Sequence, residues 1–227
     1  MSQYNQEVLI EMETIRELSS KDLAKLSCSA CNGCGECCVG MGDTIHLDPW
    51  DLAALTRGLG ADFTDLLEEV IGLHVERGLI LPHLLMREET TPGRCAFLDT
   101  ENRCGIHGFR PGLCRLFPLG RNYTEQGFSY FVVEGGCDKP GKSKIRIEKW
   151  LGIPDLSSYE RFTFIWHSLV RALQARLEQE PDASYVRDLN RFFLGLFYEK
   201  AYPVEDALPG KAFYEEFYKR LEQFKSL

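Results

Sequence analysis

Cys28, Cys31, Cys34 and Cys37 stand three residues apart in the run SCSACNGCGECC, and Cys38 follows the last of them directly. A gap of two residues lets successive thiolates turn toward one centre, as in the C-x2-C-x2-C run of iron–sulfur ferredoxins and in zinc sites. Cys95, Cys104, Cys114 and Cys137 bring the total to nine. Buried reduced cysteines often act as small hydrophobes, but they are scattered, and five within residues 28–38 are not. Cys37 and Cys38 are neighbours, and neighbouring side chains of an extended segment point in opposite directions. The pair is therefore expected to serve two centres, or one centre and its surroundings. The thiol count would fill two four-coordinate centres, and spacing leaves the pairing open. All-thiolate ligation suits zinc and iron–sulfur alike. The spacing and the number of thiols favour iron–sulfur, one or two clusters of the 4Fe–4S kind, with structural zinc as the alternative. His46, His74, His83, His107 and His167 form no H-E-x-x-H set, so a water-activating zinc is not expected.

A second motif competes for one of these cysteines. Residues 136–143, GCDKPGKS, read as G-x-x-x-x-G-K-S, the loop that cradles nucleotide phosphates. Such a loop needs a strand before it, a helix after it and a parallel sheet to hold both. FSYFVVE could be that strand and KSKIRIEKWLG that helix, but Gly152 and Pro154 would stop the helix early. Pro140 also removes an amide that could contact phosphate. Cys137 as a metal ligand is the better reading, and Lys142 is then not a nucleotide lysine.

The elements that would position these groups change along the chain. Residues 5–26 read as a helix, with Val8, Leu9, Met12, Ile15, Leu18, Leu23 and Leu26 at roughly helical spacing. Asp48 and Pro49 start another helix, which Gly58 or Gly60 ends. A further one is expected from Asp62 or Thr64, burying Phe63, Leu66, Leu67, Val70 and Ile71. ILPHLLMRE, RCAFLDT, RCGIHGF and FSYFVVE read as strands, with DTENR as a hairpin turn. Beyond residue 155 the pattern is helical: Ser157 and Glu160 form a capping box, one helix runs to Gln179 before Pro181, and two more cover 183–200 and 210–226. The expected class is α+β: a small metal-organised, cysteine-rich part over 1–155, with short strands and helices, then a helical C-terminal extension over 156–227.

The apolar fraction of 44% is ordinary for a folded soluble protein. The formal charge of −8 argues against nucleic acid as a partner, because phosphate contacts need clustered Lys and Arg. No signal peptide and no run long enough to span a bilayer is readable, so a cytoplasmic protein with reduced thiols is expected, with no membrane partner.

CxxCxxCC over Cys31, Cys34, Cys37 and Cys38 resembles the signature of the YkgJ-like cysteine-cluster proteins, a family named for zinc or iron chelation. CAFLDTENRCGIHGFRPGLCRLFPLG is similar to that family's C-x-F-L … C-x-I-Y-x-x-R-P-x-x-C-R-x-F-P block, and GGCDKPGKS to a downstream Cys–Gly segment. The resemblance covers about residues 28–145. It implies Cys31, Cys34, Cys37, Cys38, Cys95, Cys104, Cys114 and Cys137 as metal ligands and leaves Cys28 extra. His107 stands where the family has Tyr and reads either as a further ligand or as a solvent-facing strand residue. Arg110 and Arg115, around Cys114, read either as cations that favour thiolates or as partners of surface carboxylates.

Three functions follow as expectations. The first is a thiolate metalloprotein, an iron–sulfur protein in electron transfer or redox sensing. The second is a zinc-stabilised interaction module that docks a protein partner through its C-terminal helices. The third is a protein-modifying enzyme, since flagellin lysine N-methylases share the cysteine signature; no Gly-rich fingerprint for S-adenosylmethionine accompanies it here.

Overall fold

Across residues 16–27, 34–87, 92–137 and 139–226, which the computed structural model describes, four two-stranded antiparallel ladders alternate with short helices up to residue 155, and helices follow. The mixed class expected from the sequence is the one observed. The first element departs from expectation. Residues 5–15 of the helix anticipated over 5–26 lie outside the described residues, and 16–26 are not helical. Asp22 Oδ2 accepts hydrogen bonds from the Ser19 amide and hydroxyl, both at 2.8 Å, which turns the chain into β1 (Leu23–Ser27). Ala24 and Leu26 are buried while Leu23 and Lys25 face out, a period of two. Leu18 and Leu26 suit both periods over so short a span, whereas Leu23 fits only the helical one and is exposed.

Asp48 caps α1 (Pro49–Leu59), with Asp51 completing a capping box and left-handed Gly60 ending the helix, as its sequence predicts. The next helix is cut short. Asp62 caps α2, which covers only Phe63–Leu66, and Glu68 takes a positive φ of 66°. Ile71 then opens β2 (Ile71–Glu76) instead of extending a helical face. β2 pairs with β3 (Leu79–Leu84) through Arg77 and Gly78, whose φ values of 50° and 81° match a tight hairpin turn.

β4 (Met86–Arg87) pairs with β5 (Arg94–Cys95), and beyond β5 a Leu98–Cys104 bridge closes the anticipated DTENR turn. RCGIHGF is not a strand beyond that bridge. His107–Phe109 forms a 3-10 turn, and α3 (Gly112–Leu116) follows. β6 (Leu119–Tyr123), unread in the sequence, pairs with β7 (Phe128–Val132). Gly120 makes this pairing fit, because the Phe131 ring lies where its Cβ would be.

β8 (Ser143–Arg146) pairs antiparallel with β1, and α4 (Ile147–Leu151) begins only after it. No helix therefore follows GCDKPGKS directly, no parallel sheet holds it, and Lys142 Nζ donates to the Cys137 carbonyl. That arrangement lacks the parts of a phosphate loop. Lys142→Ala is expected to leave metal content unchanged and produce no loss of Mg²⁺-dependent ATP binding, since none precedes it. Saturable ATP binding by the parent protein that vanished in the variant would overturn this.

α5 (Leu156–Leu177) is capped by Asp155, not by Ser157 with Glu160; Glu160 instead accepts from the Tyr130 hydroxyl at 3.0 Å. Asp182 caps α6 (Ala183–Leu194), which widens into a π turn at Gly195–Glu199, and α7 (Lys211–Lys225) closes the chain. Phe162, Trp166, Phe193, Phe197, Phe213 and Phe217 interlock between these helices at ring separations of 4.7–6.3 Å, in edge-to-face, tilted and stacked pairs. The same core continues into the earlier part. Trp50 packs on Tyr159 at 5.0 Å, and the Tyr198 hydroxyl donates to the Leu47 carbonyl at 2.9 Å. Asn190 accepts from the Ile80 amide at 2.7 Å and donates to the Gly78 carbonyl at 2.8 Å, satisfying the outer edge of β3 and the turn.

Candidate metal centre

Three short pieces of chain carry five of the seven described cysteines, and each is positioned by a different device. The first is a 3-10 turn, Glu36–Cys38, entered through Gly35 at a φ of 64°. A side chain at Gly35 would also press on Asn102 and Leu98 at 3.2–3.3 Å, so glycine is needed for the approach as well as the bend. Gly40 donates to the Gly93 carbonyl at 2.8 Å and Val39 bridges to Arg94, which lays the turn across β5. The second piece is β5 and the Leu98–Cys104 turn, bearing Cys95 and Cys104. Asp99 Oδ1 holds that turn by accepting from the Glu101 and Arg103 amides at 2.9 and 2.8 Å. The third is α3, bearing Cys114.

α3 is held from two sides. Asp51 Oδ1, from α1, accepts the Gly112 amide at 2.7 Å. The Tyr159 hydroxyl, from α5, lies where a Cβ on Gly112 would be. Buried Arg115 does not pair with surface carboxylates. Its guanidinium donates to the carbonyls of Gly108 (2.6 Å), Arg110 (3.0 Å) and Leu151 (3.4 Å), closing the loop ahead of α3 onto α4.

Within this frame the Cys37 and Cys38 sulfurs lie 4.0 Å apart. The expectation of opposite directions therefore fails, because the pair sits on a tight turn and not on an extended strand. Tetrahedral zinc with Zn–S near 2.3 Å holds its sulfurs about 3.8 Å apart, so both thiols can serve one metal. The hydrogen bond between them draws the Cys37 thiol down and pushes Cys38 up, so the pair gives its first proton readily and keeps its second. Burial pushes up Cys95, Cys104 and Cys114, and the charges of the neighbouring thiols push in the same direction. Arg110 acts against this, drawing Cys37 and Cys104 down. Five thiols thus share one electrostatic neighbourhood. It cannot hold several thiolates without a cation, which is the chemistry of a metal-binding donor set.

Two further described cysteines adjoin this group through Lys139. Cys34 and Cys137 both act on Lys139, whose ammonium pairs with Glu36 at 2.6 Å. Cys28 and Cys31 lie outside the described residues. All seven described cysteines are free thiols. Among the described residues no three Cys, His, Asp or Glu side chains close on a single point, so Cys37 and Cys38 are the one sulfur pair already at chelating separation. His107 is exposed on its 3-10 turn, and Arg110 Nη1 bonds its Nε2 at 2.5 Å. Sequence reading missed Asp51 and Tyr159. Asp51 had a readable role as partner in the α1 cap, and nothing local marks its second bond to Gly112.

Burial raises the Asp51 carboxyl to about 6, against the amide bonds from Gly112 and Asp48 that lower it; Asp48 is raised beside it. A carboxyl raised by folding binds more protons in the native state. Its contribution is complete below the unfolded value of 3.8 and is lost as pH rises through about 6, ~3 kcal/mol in all. Asp51→Asn is therefore expected to flatten the fall in stability between pH 4 and 7, read as thermal midpoint against pH. Parallel profiles for parent and variant would contradict this.

Residues 30–133 match the family model described as "CxxCxxCC: Putative zinc- or iron-chelating domain". Over that segment the chain is similar to the CxxCxxCC family. No curated protein and no solved structure matches the chain. The matched segment takes in the Cys37–Cys38 turn, β5, the Leu98–Cys104 turn and α3, and it ends before Cys137. The matched segment is thus the part that holds the shared thiol neighbourhood, and the family model it matches is described by zinc or iron chelation. Among the described residues no helix is long and apolar enough to cross a membrane.

Proposed function

We propose that this chain is an iron–sulfur protein working in electron transfer or redox sensing. Cys37, Cys38, Cys95, Cys104 and Cys114 form the inner ligand set, and Cys31, Cys34 and Cys137 the outer one. The carrying observation is the crowding of five free thiols into one neighbourhood, with two more described thiols nearby. That is more thiolate than one tetrahedral zinc can use. Bound iron–sulfur would supply one-electron chemistry. The residues' own part is to release protons from the thiols, hold the sulfurs, and present Arg110 against the accumulated negative charge. Cys37 is exposed, so an electron would have a short path to a docked protein partner, for which the C-terminal helices offer a rigid support.

A second reading has its own support. The 4.0 Å separation of Cys37 and Cys38 matches two corners of a mononuclear zinc site, and a cubane iron takes only one cysteine. On that reading the centre is structural and the chain is an interaction module. Anaerobic purification followed by metal analysis and an absorption spectrum decides between them. A brown protein with iron and sulfide absorbing near ~400 nm supports the first reading. A colourless protein with stoichiometric zinc supports the second and sinks the first.

A further inference from the structure

Away from the thiols, three of the five histidines gather on one face of the β2–β3 hairpin. His46 bridges to His83 of β3, and His83 lies opposite Gly72 of β2. His74 follows Gly72 by two residues, which places it on the same face. Gly72 makes the grouping fit: a Cβ there would lie 2.6 Å from His83 Nε2, so the imidazole rests over the glycine with Nε2 toward β2. The His74 and His83 rings are 6.4 Å apart, edge to face. Two imidazoles on one tetrahedral ion with Zn–N near 2.1 Å have ring centres roughly 5 Å apart, so modest rotation of half-exposed rings spans the difference.

The ring nitrogens are sorted in a telling way. His74 Nδ1 meets Asp43 Oδ2 at 2.9 Å, and His83 Nδ1 meets the Leu84 carbonyl at 3.1 Å. His46 Nδ1 faces Glu76 Oε2 at 3.8 Å, an ion-pair rather than a hydrogen-bond distance. An acceptor at Nδ1 holds the proton there and leaves the lone pair on Nε2, the arrangement that carboxylates and carbonyls impose on metal-ligating histidines. His74 and His83 have it, and Glu76 faces the same nitrogen of His46 from 3.8 Å. From this we infer that His46, His74 and His83 form a second, nitrogen-ligated site for a divalent first-row transition ion of the zinc class, with Asp43, Glu76 and the Leu84 carbonyl orienting the rings. Imidazole donors suit zinc, nickel and copper and do not suit magnesium or calcium. The two carboxylates behind the rings balance the ion's charge. Among the described residues no three donors meet at one point, so binding requires the rings to turn inward.

This site does not depend on the nature of the thiolate centre, and its test separates the two. Zinc is titrated calorimetrically into the full chain with its thiolate centre filled as purified, and the added metal is examined by X-ray absorption. One further saturable equivalent with a nitrogen and oxygen shell and no sulfur is expected. His74→Ala, His83→Ala and Gly72→Ala should each weaken it at least ten-fold, and Asp43→Asn about ten-fold through ring orientation alone. The thiolate-bound metal should stay constant in all four variants. The half-exposed His74 makes its variant safe for the fold even where removal of His83 disturbs the hairpin. Absence of the extra equivalent, a sulfur shell around it, or an affinity unchanged in His74→Ala overturns the proposal.

Discussion

Anaerobically purified Cys38→Ser protein is expected to lose most of its metal, and with it the order of the cysteine turn. Among residues 34–44 none is fully buried, and only Cys38, Val39 and Met41 pack in part against the core, so little apolar burial holds this stretch to the rest of the molecule. Its polar ties are the Gly40 to Gly93 hydrogen bond, the Val39–Arg94 bridge and the exposed pairs Glu36–Lys139 and Asp43–His74, and Gly35 touches the Leu98–Cys104 turn. Thiolate–metal bonds must supply the remainder, which makes metal binding and local folding one equilibrium. Cys38 is the thiol most opposed in its ionisation by other thiols, since its proton is held by Cys37 and disfavoured from leaving by Cys95 and Cys104. A metal that replaces that proton relieves the largest strain, and serine at this position forfeits the relief. Removal of a ligand is expected to lower metal affinity by at least the ~10–100-fold known for its supporting groups.

Hydrogen exchange should then rise across 34–46 and 92–107 while α5 to α7, held by their own aromatic packing, keep their protection. Cys114→Ser should act in the same direction, and Cys28→Ser should leave metal content nearly intact. Unchanged protection in metal-free protein would refute the coupling. Emptying of the centre by Cys28→Ser alone would move the ligand set toward the first cysteine of the run.

Gly112→Ala is expected to destabilise the protein by ~2–3 kcal/mol and to weaken metal binding without touching a ligand. The added methyl would overlap the hydroxyl of Tyr159, which is itself fully buried against Trp50 and Phe162. Neither partner can give way cheaply, because the Gly112 amide is tied to Asp51 at 2.7 Å. α3 must therefore shift, and Cys114 with it. Tyr159→Phe alone loses a long 3.3 Å bond from Arg121, about 1 kcal/mol. Combined with Gly112→Ala it also removes the colliding oxygen. The double variant should recover at least ~1 kcal/mol relative to the sum of the single changes, measured by denaturant unfolding. Additive losses would mean that the hydroxyl does not hold α3 in place. This cycle also bears on the role of the C-terminal helices, since Tyr159 belongs to α5 and acts on a cysteine-bearing helix.

What the sequence determined by itself is what local chemistry can determine. The cysteine spacing identifies a thiolate centre because consecutive ligands need only a short flexible loop between them. Asp48–Pro49 and Gly60 bound α1 because caps act within one turn of chain, and the helices beyond residue 155 are long enough for a period of 3.6 to declare itself. The tertiary structure decided the rest, each time through a partner distant in sequence. LAKLS and IGLHVE are strands because Ser143–Arg146 and Leu79–Leu84 pair with them; over five or six residues their apolar positions suit a helix equally well. GCDKPGKS carries the letters of a phosphate loop, but the strand β8 stands where the helix would have to begin. Cys37 and Cys38 face one way because Gly35 must bend to clear Asn102 and Leu98. The bond from Gly112 to Asp51 spans sixty-one residues, and no spacing rule reaches that far.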